Sequence, residues 1–316
     1  MQRAGATDVF ATSALRCFAA SRHDYVYMLI AERLTAASFL ATTALLSCRA
    51  RHRSTLLRQS QKLSPSDLIV IADFDLTLTC GGSTQCHDVL GSSPLQPAGV
   101  RAAFEPLLDF TTPFPPELDG NGWWVRANEI LLAHGAPRQD ALRGLVTDAE
   151  MEPRPGAAAL LGRLARDGVP VLVVSAGFAD VIEEWLRLHG LASPNVRVSS
   201  NRLRWDDGTG TMRAVEPSPP VTSLNKEQTA ARNAEWLAQH AARRSLLVLG
   251  DRCSDLAVAQ GVDCERCLAV GLVNDQAEYG DAPSAEARCA EYARCGFDVV
   301  LRGSRASLEP VLELIQ

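Results

Sequence analysis

Three short apolar runs, each ending abruptly in polar residues, constrain this chain more than any other feature. They are Leu68-Ile69-Val70-Ile71-Ala72 followed by Asp73, Val169 to Val174 followed by Ser175-Ala176-Gly177, and Ser245 to Leu249 followed by Gly250-Asp251. A continuous apolar run buries both faces of a strand, the pattern of a parallel sheet covered by helices. Helical periodicity fills the neighbouring intervals, over Ala157 to Asp167, Ala179 to His189 and Gln228 to Ala242. Strands alternating with helices predict an α/β fold with a parallel sheet, whose ligands bind at the carboxyl ends of the strands. The three sets of polar residues are therefore expected to share one crevice.

The interval from Thr79 to Gly168 breaks this alternation with Pro and Gly interruptions, the pair Trp123-Trp124 and a helix-like stretch from Trp124 to His134. It reads as a helical cap inserted after the first strand. The predicted organisation is an N-terminal extension over 1–63, a core from 64–79 and 169–316, and a cap over 80–168.

The extension is basic, with Arg3, Arg16, Arg22, Arg33, Arg49, Arg51, Arg53 and Arg58 against Asp8, Asp24 and Glu32. That balance suits an organelle-targeting leader as well as an accessory or disordered extension. Its apolar run, Ala36 to Leu46, is short of the ~20 residues a membrane-spanning helix needs, so no stable membrane insertion is expected. A formal net charge of -6 supplies no attraction for a nucleic acid polymer. Nine cysteines spread along so long a chain predict a reducing compartment and no disulfide framework. The single CxxC, Cys264 to Cys267, lacks the partners of a zinc site and reads as a loop feature.

The chemistry is concentrated after the runs. Asp73-Phe74-Asp75-Leu76-Thr77 sets two carboxylates two residues apart at a strand end, where they require a cation. With Mg²⁺ bound, Asp73 is expected to act as nucleophile and Asp75 as acid and then base. Ser175 offers a hydroxyl, and the small Ala176 and Gly177 let backbone amides approach a phosphate oxygen. Lys226 supplies positive charge for a transferring phosphoryl group. In Gly250-Asp251-Arg252-Cys253-Ser254-Asp255, Asp251 is expected to complete the Mg²⁺ ligands and Asp255 to orient them from just outside. Asp73, Asp75, Asp251 and Asp255 are thus the candidate metal residues.

These motifs, in this order, resemble the haloacid dehalogenase superfamily, with its Rossmann-like parallel core and inserted cap. Within it, Ala72 to Thr79, Cys86-His87-Asp88, Val174 to Glu184, Asn195 to Val198, Ser200-Asn201, Asn225-Lys226 and Gly271-Leu272-Val273-Asn274-Asp275 resemble the cytosolic 5'-nucleotidase III (pyrimidine 5'-nucleotidase) family. The resemblance spans residues ~66 to 316 and implies a Mg²⁺-dependent, cytoplasmic 5'-nucleotidase acting through an aspartyl-phosphate on nucleoside 5'-monophosphates, CMP or UMP favoured. It implies phosphate contacts from Ser175, Ala176 and Lys226, and sets Asp109 where a cap glutamate faces the base, after a one-residue insertion. A phosphatase for 7-methyl-GMP or another small phosphoester is the alternative enzyme, and an idle binding protein of the same fold the alternative of another class. An organelle is the alternative location if the leader is a transit peptide.

Overall fold

The computed structural model describes residues 62–108, 115–274 and 284–316. The basic leader, its apolar run and Asp109 lie outside the described residues. A seven-stranded sheet has the order β4-β3-β2-β1-β5-β6-β7. Its strands are β1 (Leu68–Ala72), β2 (Val171–Phe178), β3 (Val196–Trp205), β4 (Met212–Glu216), β5 (Ser245–Gly250), β6 (Arg266–Val273) and β7 (Val299–Arg302). Neighbours pair in parallel except β3 with β4, which are antiparallel at one edge. The three runs legible in the sequence form the centre, and the fold is the expected α/β class.

Register explains why the polar residues converge. Ala72 at the end of β1 lies opposite Val173 of β2 and Leu249 of β5, and the Asp73 amide donates to Leu249 O at 2.9 Å. Asp73, Ser175 and Asp251 therefore lie within a residue or two of one level. Along β1 the side chains alternate, sending Leu68, Val70 and Ala72 into one apolar cluster and Ile69 and Ile71 into another on the opposite face.

The helices are α1 (Cys86–Gly91), α2 (Ala98–Leu108), α3 (Gly122–Ala133), α4 (Leu142–Asp148), α5 (Ala157–Arg166), α6 (Ala179–Leu188), α7 (Thr229–Arg232), α8 (Ala234–Gln239), α9 (Ala285–Cys295) and α10 (Glu309–Leu312). Helix α5, although it precedes β2 in the chain, packs against the C-terminal α10, whereas α1 contacts α2, α3, α4 and β2 near the carboxyl ends of the strands. None of the described helices is long and apolar enough to cross a membrane.

Three expectations need correction. The second run does not stop at Val174, because β2 continues through Ser175, Ala176 and Gly177 to Phe178 after a register shift against β3. The stretch from Gln228 to Ala242 is not one helix. It opens as a 3₁₀ turn, Lys226–Gln228, and breaks between α7 and α8 at Asn233, whose φ of -120° is not helical. The Asn233 side chain instead donates to Thr229 O and to Ser199 Oγ on β3, each at 2.9 Å. Cys264-x-x-Cys267 is not simply a loop, since Cys267 is the second residue of β6. Nor does the sequence reading anticipate the disulfide joining Cys253 to Cys295, which the fold brings together across 42 residues.

Phe74 and Trp185 lock the start of the first loop to α6, with ring centroids 5.1 Å apart in an edge contact. The Trp185 indole also donates to Met151 O at 2.7 Å. Replacing Trp185 by Phe keeps most of the packing and removes the partner of a buried carbonyl, so urea denaturation of the variant should register a loss of about 1–3 kcal/mol.

Candidate active site

One crevice at the carboxyl ends of β1, β2 and β5 is lined by Asp73, Asp75, Ser175, Ala176, Lys226, Asp251 and Asp255, so seven of the eight predicted site residues share it. About 740 Å³ of empty space, including the open mouth, lies between them and a second wall of α1, α2 and α3 residues.

Local sequence explains each placement. Leu76 has a φ of +59°, a left-handed conformation that a branched side chain adopts at a cost of about 1–3 kcal/mol unless its surroundings hold it. The holder is Arg154, only 1% exposed. Its guanidinium donates to Leu76 O at 2.6 Å, to Thr77 O at 2.8 Å and to Asn274 Oδ1 at 2.6 Å, while Asn274 donates to Leu76 O at 3.1 Å. The loop that carries Asp75 is thereby folded back on itself. Arg154 has no place in the sequence reading, where the only signal is a lone arginine between two prolines ahead of α5.

The Ser175 to Phe178 extension is held by Asn201, whose side-chain amide donates to Ala176 O at 2.9 Å and Gly177 O at 3.0 Å. The same Asn201 brackets Val221, accepting from its amide at 2.8 Å and donating to its carbonyl at 2.8 Å. Asn225 then closes the turn, accepting from Thr222 N at 2.9 Å and donating to Pro220 O at 2.8 Å. These two asparagines deliver Lys226 to the crevice. Ser175 Oγ accepts from Gly177 N at 2.9 Å, which leaves its own O–H to donate elsewhere. A Cβ at Gly177 would lie 2.6 Å from Cys86 Cβ, and one at Gly250 would lie 2.4 Å from Asp255 Cβ, so both positions exclude larger residues.

Lys226, 4% exposed, bridges Asp73 Oδ1 at 2.5 Å and Asp255 Oδ1 at 2.6 Å. Thr77 Oγ1 donates to Asp73 Oδ2 at 3.2 Å, and Arg252 N donates to Asp255 Oδ2 at 2.8 Å. Oxygens of Asp73, Asp251 and Asp255 lie within 4.8 Å of one another. The Asp75 carboxylate stands outside that trio and accepts from Cys86 N at 3.1 Å, at the start of α1.

The electrostatics reveal an excess of buried negative charge. Burial pushes Asp73 up to about 6, against the pull of the Lys226 ammonium and with a further push from Asp255. Burial and then the Asp73 charge push Asp75 up to about 7. Asp251 is driven well above the usual carboxylate range, mainly by burial. Burial disfavours the Lys226 charge, but Asp255 and Asp73 outweigh it and hold the ammonium protonated. Carboxylates so strained toward the neutral form, offering hard oxygens at short spacing, fit a divalent cation.

The second wall holds His87, Asp88, Leu108, Trp123 and Trp124. The His87 ring packs on Trp123 at 5.0 Å and on Phe178 at 4.8 Å, and burial pulls it down to about 4, so it is neutral. Its Nε2 is buried without a hydrogen-bond partner.

Residues 120–308 match the sequence profile of the family described as "Pyrimidine 5'-nucleotidase (UMPH-1)". The chain belongs to that family. It is a 5'-nucleotidase, a phosphomonoesterase of the haloacid dehalogenase superfamily. Among its curated relatives, the 7-methylguanosine phosphate-specific 5'-nucleotidase of Gallus gallus is 31% identical over 241 residues, covering 71% of this chain and 81% of the relative. The Homo sapiens protein of the same description is 25% identical over 228 residues, covering 67% and 74%. A solved structure of cytosolic 5'-nucleotidase IIIB bound to cytidine superposes with a TM-score of 0.64 at 23% identity, covering 79% of this chain and 84% of that one, a likeness of fold.

The raised carboxyl groups predict a pH dependence for the metal-free protein. A carboxyl whose pKa rises on folding makes the native state bind more protons than the unfolded state, so stability falls as pH rises from its ordinary value toward the raised one. With Asp73 at about 6 and Asp75 at about 7, the protein in EDTA should lose stability between pH 4 and 7. The slope is limited to about 1.4 kcal/mol per pH unit for each group. Thermal melts across that range should show the fall, and saturating Mg²⁺ should remove most of it.

Proposed function

We propose that this nucleotidase hydrolyses 7-methylguanosine 5'-monophosphate to nucleoside and phosphate, with Asp73 as nucleophile and Asp75 as acid and base. The observation that carries the substrate class is the crevice itself. A buried carboxylate and an ammonium face, across the crevice, a wall of two tryptophans, a neutral imidazole and the Asp88 carboxylate. A 7-methylguanine ring carries positive charge, which aromatic faces and nearby carboxylates favour. The Gallus gallus and Homo sapiens relatives are named as specific for 7-methylguanosine phosphate, which agrees with this preference. CMP or UMP is the second reading, favoured by the family's description and by the cytidine in the related solved structure.

Helices α1 to α4 act as the cap in this reading. Bound Mg²⁺, held by Asp73 and Asp251 with Asp255 just outside, would neutralise phosphate oxygens and keep the carboxylates ionised. Ser175 O–H, the backbone at Ala176 and the Lys226 ammonium bind the remaining phosphate oxygens, with Lys226 releasing its hold on Asp73 Oδ1. An Asp73 oxygen forms a bond to phosphorus as the ester bond to the 5'-oxygen breaks. Asp75, whose carboxyl burial holds well above the usual carboxylate range, gives its proton to that oxygen. The ionised Asp75 then takes a proton from water as the water oxygen displaces Asp73, which releases phosphate and returns both residues to their starting states.

Phosphate release should be metal-dependent, abolished by EDTA, and reduced at least about 1,000-fold in Asp73→Asn, measured across 7-methyl-GMP, CMP, UMP, GMP and a non-nucleotide phosphoester. Activity on the phosphoester alone would remove the nucleotide assignment. Asp88→Asn tests the base preference. It should lower kcat/KM for 7-methyl-GMP roughly tenfold more than for CMP, which amounts to about 1.4 kcal/mol of lost attraction for the cationic ring.

A further inference from the structure

Between Asp251 and Asp255 stands a cysteine that the hydrolytic chemistry does not use. Cys253 is bonded to Cys295, the last residue of α9, with their Cα atoms 5.8 Å apart. On the same helix, one turn earlier, the Tyr292 hydroxyl donates to Asp251 O, and its ring stacks on Phe297 at 5.3 Å. Helix α9 in turn packs on β6 and β7. The carboxylate turn is thus tied to α9, which packs in the same apolar cluster, at two points, by a covalent bond at Cys253 and a hydrogen bond at Asp251. Both half-cystines are partly accessible, whereas Cys80 and Cys86 are buried.

We propose that Cys253–Cys295 is a reversible redox site that governs how firmly the Asp251–Asp255 turn is held, and through it the affinity for the divalent cation. The inference rests on the reading of Asp251 as a metal ligand. Reduction requires a dithiol. One of its thiolates attacks a sulfur of the pair, the S–S bond breaks and a mixed disulfide forms, and the second thiolate then displaces the protein sulfur. Two electrons and two protons pass to the protein, leaving two cysteine thiols and an oxidised reductant. In the reduced state the turn loses its covalent tie to α9 and keeps the Tyr292 hydrogen bond, the Lys226 bridge to Asp255 and the apolar contacts of Leu256 and Val258, so Asp251 and Asp255 are less well pre-organised for a cation that demands near-ideal oxygen geometry. Closing the disulfide restores the anchor, which removes freedom that cation binding must otherwise suppress.

The test uses the full chain in oxidised form, the same protein reduced with dithiothreitol, and Cys295→Ser. Differential alkylation read by mass spectrometry should find Cys253 and Cys295 protected only in the oxidised protein. Mg²⁺ affinity by calorimetry should fall roughly three- to tenfold on reduction, hydrogen exchange over residues 252–256 should quicken, and kcat at saturating Mg²⁺ should stay the same. Cys295→Ser should match the reduced protein and ignore dithiothreitol, which separates this pair from the other cysteines. Equal Mg²⁺ affinity and equal exchange in the two redox states would overturn the proposal. A protein inactive on every nucleotide would defeat the substrate reading alone, because the calorimetric and exchange comparisons need no substrate.

Discussion

The structure depends on gathering four carboxylates at the end of a sheet that offers them almost no water. Left to themselves, Asp73, Asp75, Asp251 and Asp255 would repel one another and shed their charge into protons, as the upward displacement of Asp73, Asp75 and Asp251 records. The Lys226 ammonium between Asp73 and Asp255 offsets part of that repulsion. The remainder creates the demand for a divalent cation. A well-packed apolar cluster in the same place would be more stable, so the arrangement makes sense only as chemistry held ready by the fold.

Holding it ready explains features that otherwise look unrelated. The left-handed Leu76, the buried Arg154 and the Asn274 side chain turn the Asp75 loop back. Asn201 ties the β2 extension to the segment that delivers Lys226, and Asn225 shapes its last turn. Gly250 lets Asp255 approach the strand end. In the first two cases neutral amides or a charge-assisted bond to carbonyls fix the backbone, and the carboxylates and the ammonium are left to face the crevice.

How much of this was legible in the sequence follows from how local each signal is. The three central strands carry their own pattern, because burial on both faces demands continuous apolar residues, and the reacting carboxylates sit directly beside them. Ser175 to Phe178 was not read as strand, because its pairing depends on Asn201, more than twenty residues away. The helix after Lys226 was overextended because periodicity is blind to Asn233, whose side chain prefers β3. Arg154 and the Cys253–Cys295 bond escaped for the same reason, since their partners lie far along the chain. Asp109 comes from the family resemblance alone and lies outside the described residues.

That division also separates mechanism from specificity. Phosphoryl transfer needs a nucleophile, an acid, a cation site and positive charge in one fixed geometry; the carboxylates proposed for it come from short motifs at strand ends, and Lys226 from the 3₁₀ turn that Asn225 shapes. The wall facing them is assembled by α1, α2 and α3, where the packing of helices brings together a neutral His87, two tryptophans and Asp88. Because the wall is electrically mixed, selectivity is a difference between two attractions. In the reading proposed above, a cationic ring gains from Asp88 and from the two indoles that line the crevice.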